Sequence, residues 1–143
     1  MPATTFKIYP KRQLVSIHWS GSPVIEQWYD VIERILAHPD YRRGMNLITH
    51  RTGGANTITP DFVRDVLLML EGRAARMTPM SIAVLAPAAY DFGMARMMET
   101  LSESAAIVVR AFRRPREAME WLKSPVRYHH SGEHLFAVSA AAM

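Results

Sequence analysis

Between Val24 and Leu36 apolar residues return every three or four positions. Val24, Ile25, Trp28, Val31, Ile32, Ile35 and Leu36 share one stripe, while Glu26, Asp30, Glu33 and Arg34 take the other side. That period predicts an amphipathic helix. Ser22 is placed to cap its first turn, Pro23 suits the first helical position, and His38 with Pro39 ends it. A second helix is predicted from Thr59 as cap and Pro60 as first residue. Its buried stripe is Phe62, Val63, Val66, Leu67 and Leu70, and it runs to about Arg76. The residues from Pro87 to about Ser104 read as a third helix carrying Phe92, Met97, Met98 and Leu101, locally weakened by Gly93. The segment PREAMEWL, residues 115–122, is a short closing helix on which Ala118, Trp121 and Leu122 meet on one side.

Between the helices lie runs with the composition of strands. Phe6 to Tyr9 and Leu14 to Trp19, separated by Pro10, Lys11 and Arg12, suit a hairpin. Met45 to Thr49, Ser81 to Ala86 and the apolar run AAIVVRAF, residues 105–112, supply three more strands. A strand, helix and strand in alternation return the chain by right-handed crossovers, so the prediction is an α/β domain with a mostly parallel sheet. It has about five strands and about four helices, and the first hairpin strand runs antiparallel at the edge. The core spans about residues 6–122 of a single domain. Residues 124–143 carry neither a strong period nor caps and form a C-terminal tail, although His134 to Met143 is apolar enough to dock on the domain or on a second copy.

Composition agrees with one folded domain. The 143 residues suffice to bury roughly 68–70% of the unfolded surface. With 49% hydrophobic and 21% charged residues, the chain is unlike a disordered one. No apolar run approaches the roughly 18 residues of a membrane span, and the N-terminus lacks the basic-then-apolar order of a signal peptide, so the expectation is a cytoplasmic protein. The absence of cysteine removes disulfides, thiolate catalysis and cysteine-type zinc sites. A net charge of +4 and a pI near 9.8 invite a nucleic-acid reading. The arginines are nevertheless dispersed, mostly to the ends of helices, and no aromatic residues alternate with them as a stacking platform requires, so no nucleic-acid partner is expected.

Motifs for chemistry are few. The chain contains no Gly-x-Ser-x-Gly elbow, Walker loop, dinucleotide fingerprint or His-Glu-x-x-His, and the expectation is a protein that is not an enzyme and needs no cofactor. Tyr128 to His134 gathers three histidines and a carboxylate, a composition that binds zinc or nickel adventitiously, but a glycine interrupts any helix that would align them, so no physiological metal is expected. His18, alternating with Ser16 and Leu14 on a strand, reads as a hydrogen-bonded structural histidine. The loop from His50 to Thr59, with Gly53 and Gly54, follows a strand at the carboxyl side of the sheet, where open α/β folds bind ligands. His50, Arg51 and Pro87 should all project there. His50 could titrate near neutral pH and Arg51 could hold a carboxylate or phosphate; alternatively both cap carbonyls or lie in water. Ten methionines are a high count, and Met69, Met94, Met97 and Met98 among them fall in the second and third helices. They read either as core filling or as the wall of a pliable groove for a hydrophobic ligand or a partner helix.

Taken together, Leu14-Val-Ser-Ile-His-Trp-Ser-Gly21, Ile35-Leu-Ala-His-Pro-Asp-Tyr41, Ser81-Ile-Ala-Val-Leu85, Gly93-Met-Ala-Arg96 and Ala111-Phe-Arg-Arg-Pro-Arg-Glu-Ala-Met-Glu-Trp-Leu122 give the chain its likeness. It resembles the SpoIIAA-like branch of the STAS superfamily over nearly all of residues 6–122. The resemblance implies a non-enzymatic regulatory or ligand-binding domain, similar to anti-sigma-factor antagonists and, more distantly in shape, to CRAL-TRIO lipid-binding domains. In the antagonists a serine followed by glycine, preceded by aspartate, is phosphorylated at the start of a helix. The matching position is Thr52-Gly53, which makes Thr52 the implied phosphoacceptor, although His50 and Arg51 stand where the acidic residue is expected. Two functions follow, ranked in this order: a protein-interaction module that docks a partner or forms a homodimer, and a carrier or sensor of a small apolar, lipid-like ligand in a methionine-lined groove.

Overall fold

The structure, a computed structural model, describes residues 3–53, 57–102 and 106–123. Its first two strands, β1 (Ala3–Tyr9) and β2 (Leu14–Ser20), form an antiparallel hairpin in register from Ala3 opposite Ser20 to Tyr9 opposite Leu14. A single 3-10 turn, Pro10–Arg12, joins them, and Gln13 closes it in the left-handed region at φ 52°, its N–H bonded to the Pro10 carbonyl. Three further strands, β3 (Asn46–Thr52), β4 (Met80–Leu85) and β5 (Ile107–Phe112), continue the sheet in parallel, and spatial order equals chain order. The helices are α1 (Ile25–Ala37), α2 (Pro60–Gly72), the one-turn α3 (Ala74–Met77), α4 (Ala89–Leu101) and α5 (Pro115–Lys123). The predicted α/β class, the mixed five-stranded sheet and its antiparallel edge strand are all present.

A sheet whose parallel strands always advance in the same direction receives its right-handed crossovers on one face. Accordingly, α1, α2 and α4 share the larger core with Val15, Ile17, Trp19, Leu47, Ile82 and Val109. Among the described helices only α5 lies opposite, where Ala118 and Leu122 pack with Leu14, Ile48, Ala83, Leu85 and Phe112. Strand alternation divides these two sets residue by residue. The face of β2 and β3 away from the three helices therefore carries Ser16, His18, His50 and Thr52, of which His18 and Thr52 are exposed and Ser16 and His50 partly buried.

Local signals explain most boundaries. The Thr59 hydroxyl accepts the Phe62 N–H and Pro60 opens α2, as the sequence predicts. That helix stops at Gly72, earlier than the periodicity suggests, and α3 follows as a separate turn. The predicted cap of α1 is corrected: Ser22 and Pro23 precede the helix, which starts at Ile25 after Val24 without a side-chain cap. Val24 is extended, at φ −133° and ψ 110°, so the first helical turn opens only after it. Just upstream, Gly21 turns with φ 79° and its carbonyl accepts two hydrogen bonds from Arg51. At the far edge, the Ser102 hydroxyl donates to the Ile107 carbonyl and the buried Glu99 carboxylate accepts the Ala111 N–H. Side chains of α4 and the residue after it thus occupy backbone groups that an open edge strand would offer to another chain.

Candidate functional site

Arg51 organises the carboxyl end of the sheet. It occupies an inward position on β3, two residues beyond Thr49 and four beyond Leu47, so its side chain enters the helix-covered face and is only 5% exposed. There its nitrogens reach three separate segments. Nε and Nη2 donate to the Gly21 carbonyl at 3.0 and 2.9 Å, and Nη2 also donates to the Thr57 hydroxyl at 3.0 Å. Nη1 meets both carboxylate oxygens of Asp91, at 3.0 and 3.3 Å. The guanidinium lies 5.2 Å from the centre of the Trp19 ring. A buried cation is tolerable only when paired and hydrogen-bonded. Here the loop after β2, the segment before α2 and the first turn of α4 supply those partners together. The last of these segments is tied again by Tyr90, whose hydroxyl donates to the Ile58 carbonyl at 2.6 Å.

This cluster forms the polar end of a cavity of about 80 Å3. Its floor is the inward face of the sheet at Trp19, Leu47, Thr49, Ile82 and Val84. Trp28 and Ile32 of α1 line one side, Phe62, Val63, Val66 and Leu70 of α2 cover it, and Met94 and Met98 of α4 close the other side. The Trp19 and Trp28 rings meet edge to face, 5.5 Å apart at 78°, and the Phe62 ring lies 6.1 Å from Trp19, tilted at 36°. Aromatic pairs prefer the edge-to-face arrangement to face-to-face stacking. The Trp28 indole N–H, although buried, has no hydrogen-bond partner among the described residues. Such a group is uncommon in a native interior.

The residues singled out from the sequence divide among three places. Met94 and Met98 line the cavity, Met69 is buried in the main core beside it, and Met97 is half-buried outside the lining. His50 points away from Arg51, onto the face that carries α5, so His50, Arg51 and Pro87 do not converge. The Pro87 carbonyl instead accepts two hydrogen bonds from Arg113, at 2.8 and 3.2 Å. Arg51 both caps the Gly21 carbonyl and holds a carboxylate, that of Asp91. Thr52 is the last residue of β3, exposed, eight positions before the first residue of α2. Its hydroxyl lies 2.8 Å from His18 Nε2. The histidine-rich segment Tyr128 to His134 and the tail 124–143 lie outside the described residues. Thr57 and Asp91 belong to the site and carried no motif in the sequence, while Trp19 and Trp28 entered it only as a strand position and a helix-stripe position.

The two histidines stand opposite each other in the β2–β3 register, with ring centres 5.8 Å apart. Burial, and then the neighbouring His18, lower the His50 pKa below the usual 6.5. A lowered histidine pKa means that the unfolded chain binds the proton more readily than the folded one. Stability associated with His50 is therefore complete above pH 6.5 and falls as the pH drops from 6.5 through the folded pKa. The expected result is that His50→Asn flattens the melting temperature between about pH 7.5 and about pH 5.5 relative to the parent. Identical slopes for the two proteins would remove His50 from the pH response.

Among the described residues, no group of three or more histidine, cysteine, aspartate or glutamate side chains is placed to hold a metal ion, and no helix is long and apolar enough to cross a membrane. No family model, curated protein or solved structure matches the chain.

Proposed function

We propose that this protein is a non-enzymatic sensor or carrier of a small apolar molecule, built on a SpoIIAA-like frame. The observation that carries the proposal is the mostly apolar cavity between the helix-covered face of the sheet and α1, α2 and α4, with Arg51 and Asp91 as its polar end. Interiors are otherwise packed to crystal density. At about 24 cal/mol per Å3, a void of about 80 Å3 forgoes about 2 kcal/mol of packing. A ligand that fills it restores those contacts. Met94 and Met98 add side chains that can re-pack around an incoming molecule.

A second reading, a STAS-type regulatory module that docks a protein partner or a second copy, is favoured by one observation. Thr52 presents an exposed hydroxyl beside His18 on the sheet face that carries α5. Native mass spectrometry of protein purified gently from its own host addresses both. A retained noncovalent small molecule supports the first reading, and a phosphate on Thr52 or a defined dimer supports the second. For the first, a panel of small apolar molecules should also include one that binds saturably. At a hundredfold excess over Kd such a ligand stabilises by about 2.7 kcal/mol, raising the melting temperature of a domain this size by roughly 8 °C. A panel without saturable binding or any rise in melting temperature would sink the ligand reading.

A further inference from the structure

We infer that the ligand of this cavity is a neutral molecule no larger than about one small ring, bearing one hydrogen-bond-accepting oxygen that meets the Trp28 indole N–H. This inference rests on the ligand-binding reading above and narrows it in three respects: size, charge and polarity.

Size is decided by volume. One water molecule needs roughly 10–15 Å3 by this measure, and an apolar cavity of roughly 150 Å3 takes up benzene or xenon. At about 80 Å3 the present cavity has room for a few atoms as it stands. It reaches a single ring once Met94 and Met98, one half-buried and one buried, change rotamer. A long acyl chain exceeds it several-fold. The aromatic wall of Trp19, Trp28 and Phe62 suits a flat ring over a branched aliphatic one.

Charge is decided by Arg51. An arginine at the end of an apolar cavity is ordinarily the receptor for a carboxylate or phosphate. Here Asp91 already occupies that role in a two-oxygen contact, and Gly21 and Thr57 engage the remaining edges of the guanidinium. An anionic ligand would have to expel Asp91, leaving a partly buried carboxylate without its partner. A cationic ligand would meet Arg51 itself across an apolar lining.

Polarity is decided by Trp28. Among the described residues its buried N–H has no hydrogen-bond partner, and Trp28 lines the cavity. A donor left unmade in an interior is expensive, and an acceptor brought in by the ligand removes that penalty. An oxygen acceptor also adds discrimination that an apolar lining alone does not provide.

Three probes of one shape test this: acetophenone, α-methylstyrene, in which the carbonyl oxygen is replaced by a methylene, and benzoate. Binding to the full chain is followed by calorimetry and by tryptophan fluorescence, and repeated in Trp28→Phe after its circular dichroism and melting curve establish that it is folded. The expected result is saturable binding of acetophenone and no tighter binding of benzoate. The preference for acetophenone over α-methylstyrene should drop about tenfold in Trp28→Phe. An unchanged preference in Trp28→Phe overturns the hydrogen bond, and benzoate as the tightest probe overturns neutrality. In both of those cases the cavity still binds ligands. Absence of binding by all three overturns the ligand reading itself and this inference with it.

Discussion

Replacing Arg51 with alanine is expected to lower the free energy of unfolding by about 3–5 kcal/mol, the usual penalty for removing one member of a buried ion pair. Several losses combine. Asp91, whose side chain is 16% exposed, is left near an apolar cavity without its cation. The Gly21 carbonyl loses two donors and Thr57 one, and Trp19 loses the guanidinium above its ring. Arg51→Lys should recover little of this. A single ammonium on a flexible stem cannot present a planar fork to Gly21, Thr57 and Asp91 at once. Asp91→Ala should cost less than Arg51→Ala, because the guanidinium keeps its bonds to Gly21 and Thr57. The measurement is urea denaturation with the slope m compared across variants, so that a changed midpoint at constant m reports stability alone. A loss below about 1 kcal/mol for Arg51→Ala would place the pair among surface ion pairs and dismantle the keystone assigned to it.

The same residue marks the boundary of what the sequence discloses. Periodicity was sufficient for the elements: the stripe from Trp28 to Ile35 and the Thr59–Pro60 start of α2 need only neighbours along the chain, and local capping chemistry decides them. Alternation was also sufficient to separate His50 from Arg51. Leu47 and Thr49 face the helices, so a residue two further on must as well, and His50 must not. Grouping the two as one polar pair ignored that constraint. What no local rule supplies is the set of long-range partners. Gly21 and Asp91 lie 30 and 40 positions from Arg51. Methionine composition pointed toward the cavity but could not sort Met94 and Met98, which line it, from Met69 and Met97, which do not. All four are on helices, and the sorting depends on how α2 and α4 rotate over the sheet.

Trp28→Ala should be as damaging as the loss of Arg51, again about 3–5 kcal/mol, but for a different reason. Trp28 is 6% exposed and joins α1 to the sheet through its edge-to-face contact with Trp19. Truncation removes transfer free energy and leaves a void continuous with the existing cavity, and that void cannot collapse while β2, α1 and α2 hold its walls apart. Trp28→Phe isolates the polar contribution. It retains most of the ring while discarding an N–H that has no partner among the described residues, so it should cost no more than about 1.5 kcal/mol. The contrast between the two substitutions matters more than either value. If the loss in Trp28→Ala arises from the void, added indole should refill it and raise the melting temperature of that variant far more than that of the parent, which already holds the ring. Equal responses to indole in the two proteins would mean that the enlarged space is not formed, and that α1 settles onto the sheet when its tryptophan is removed.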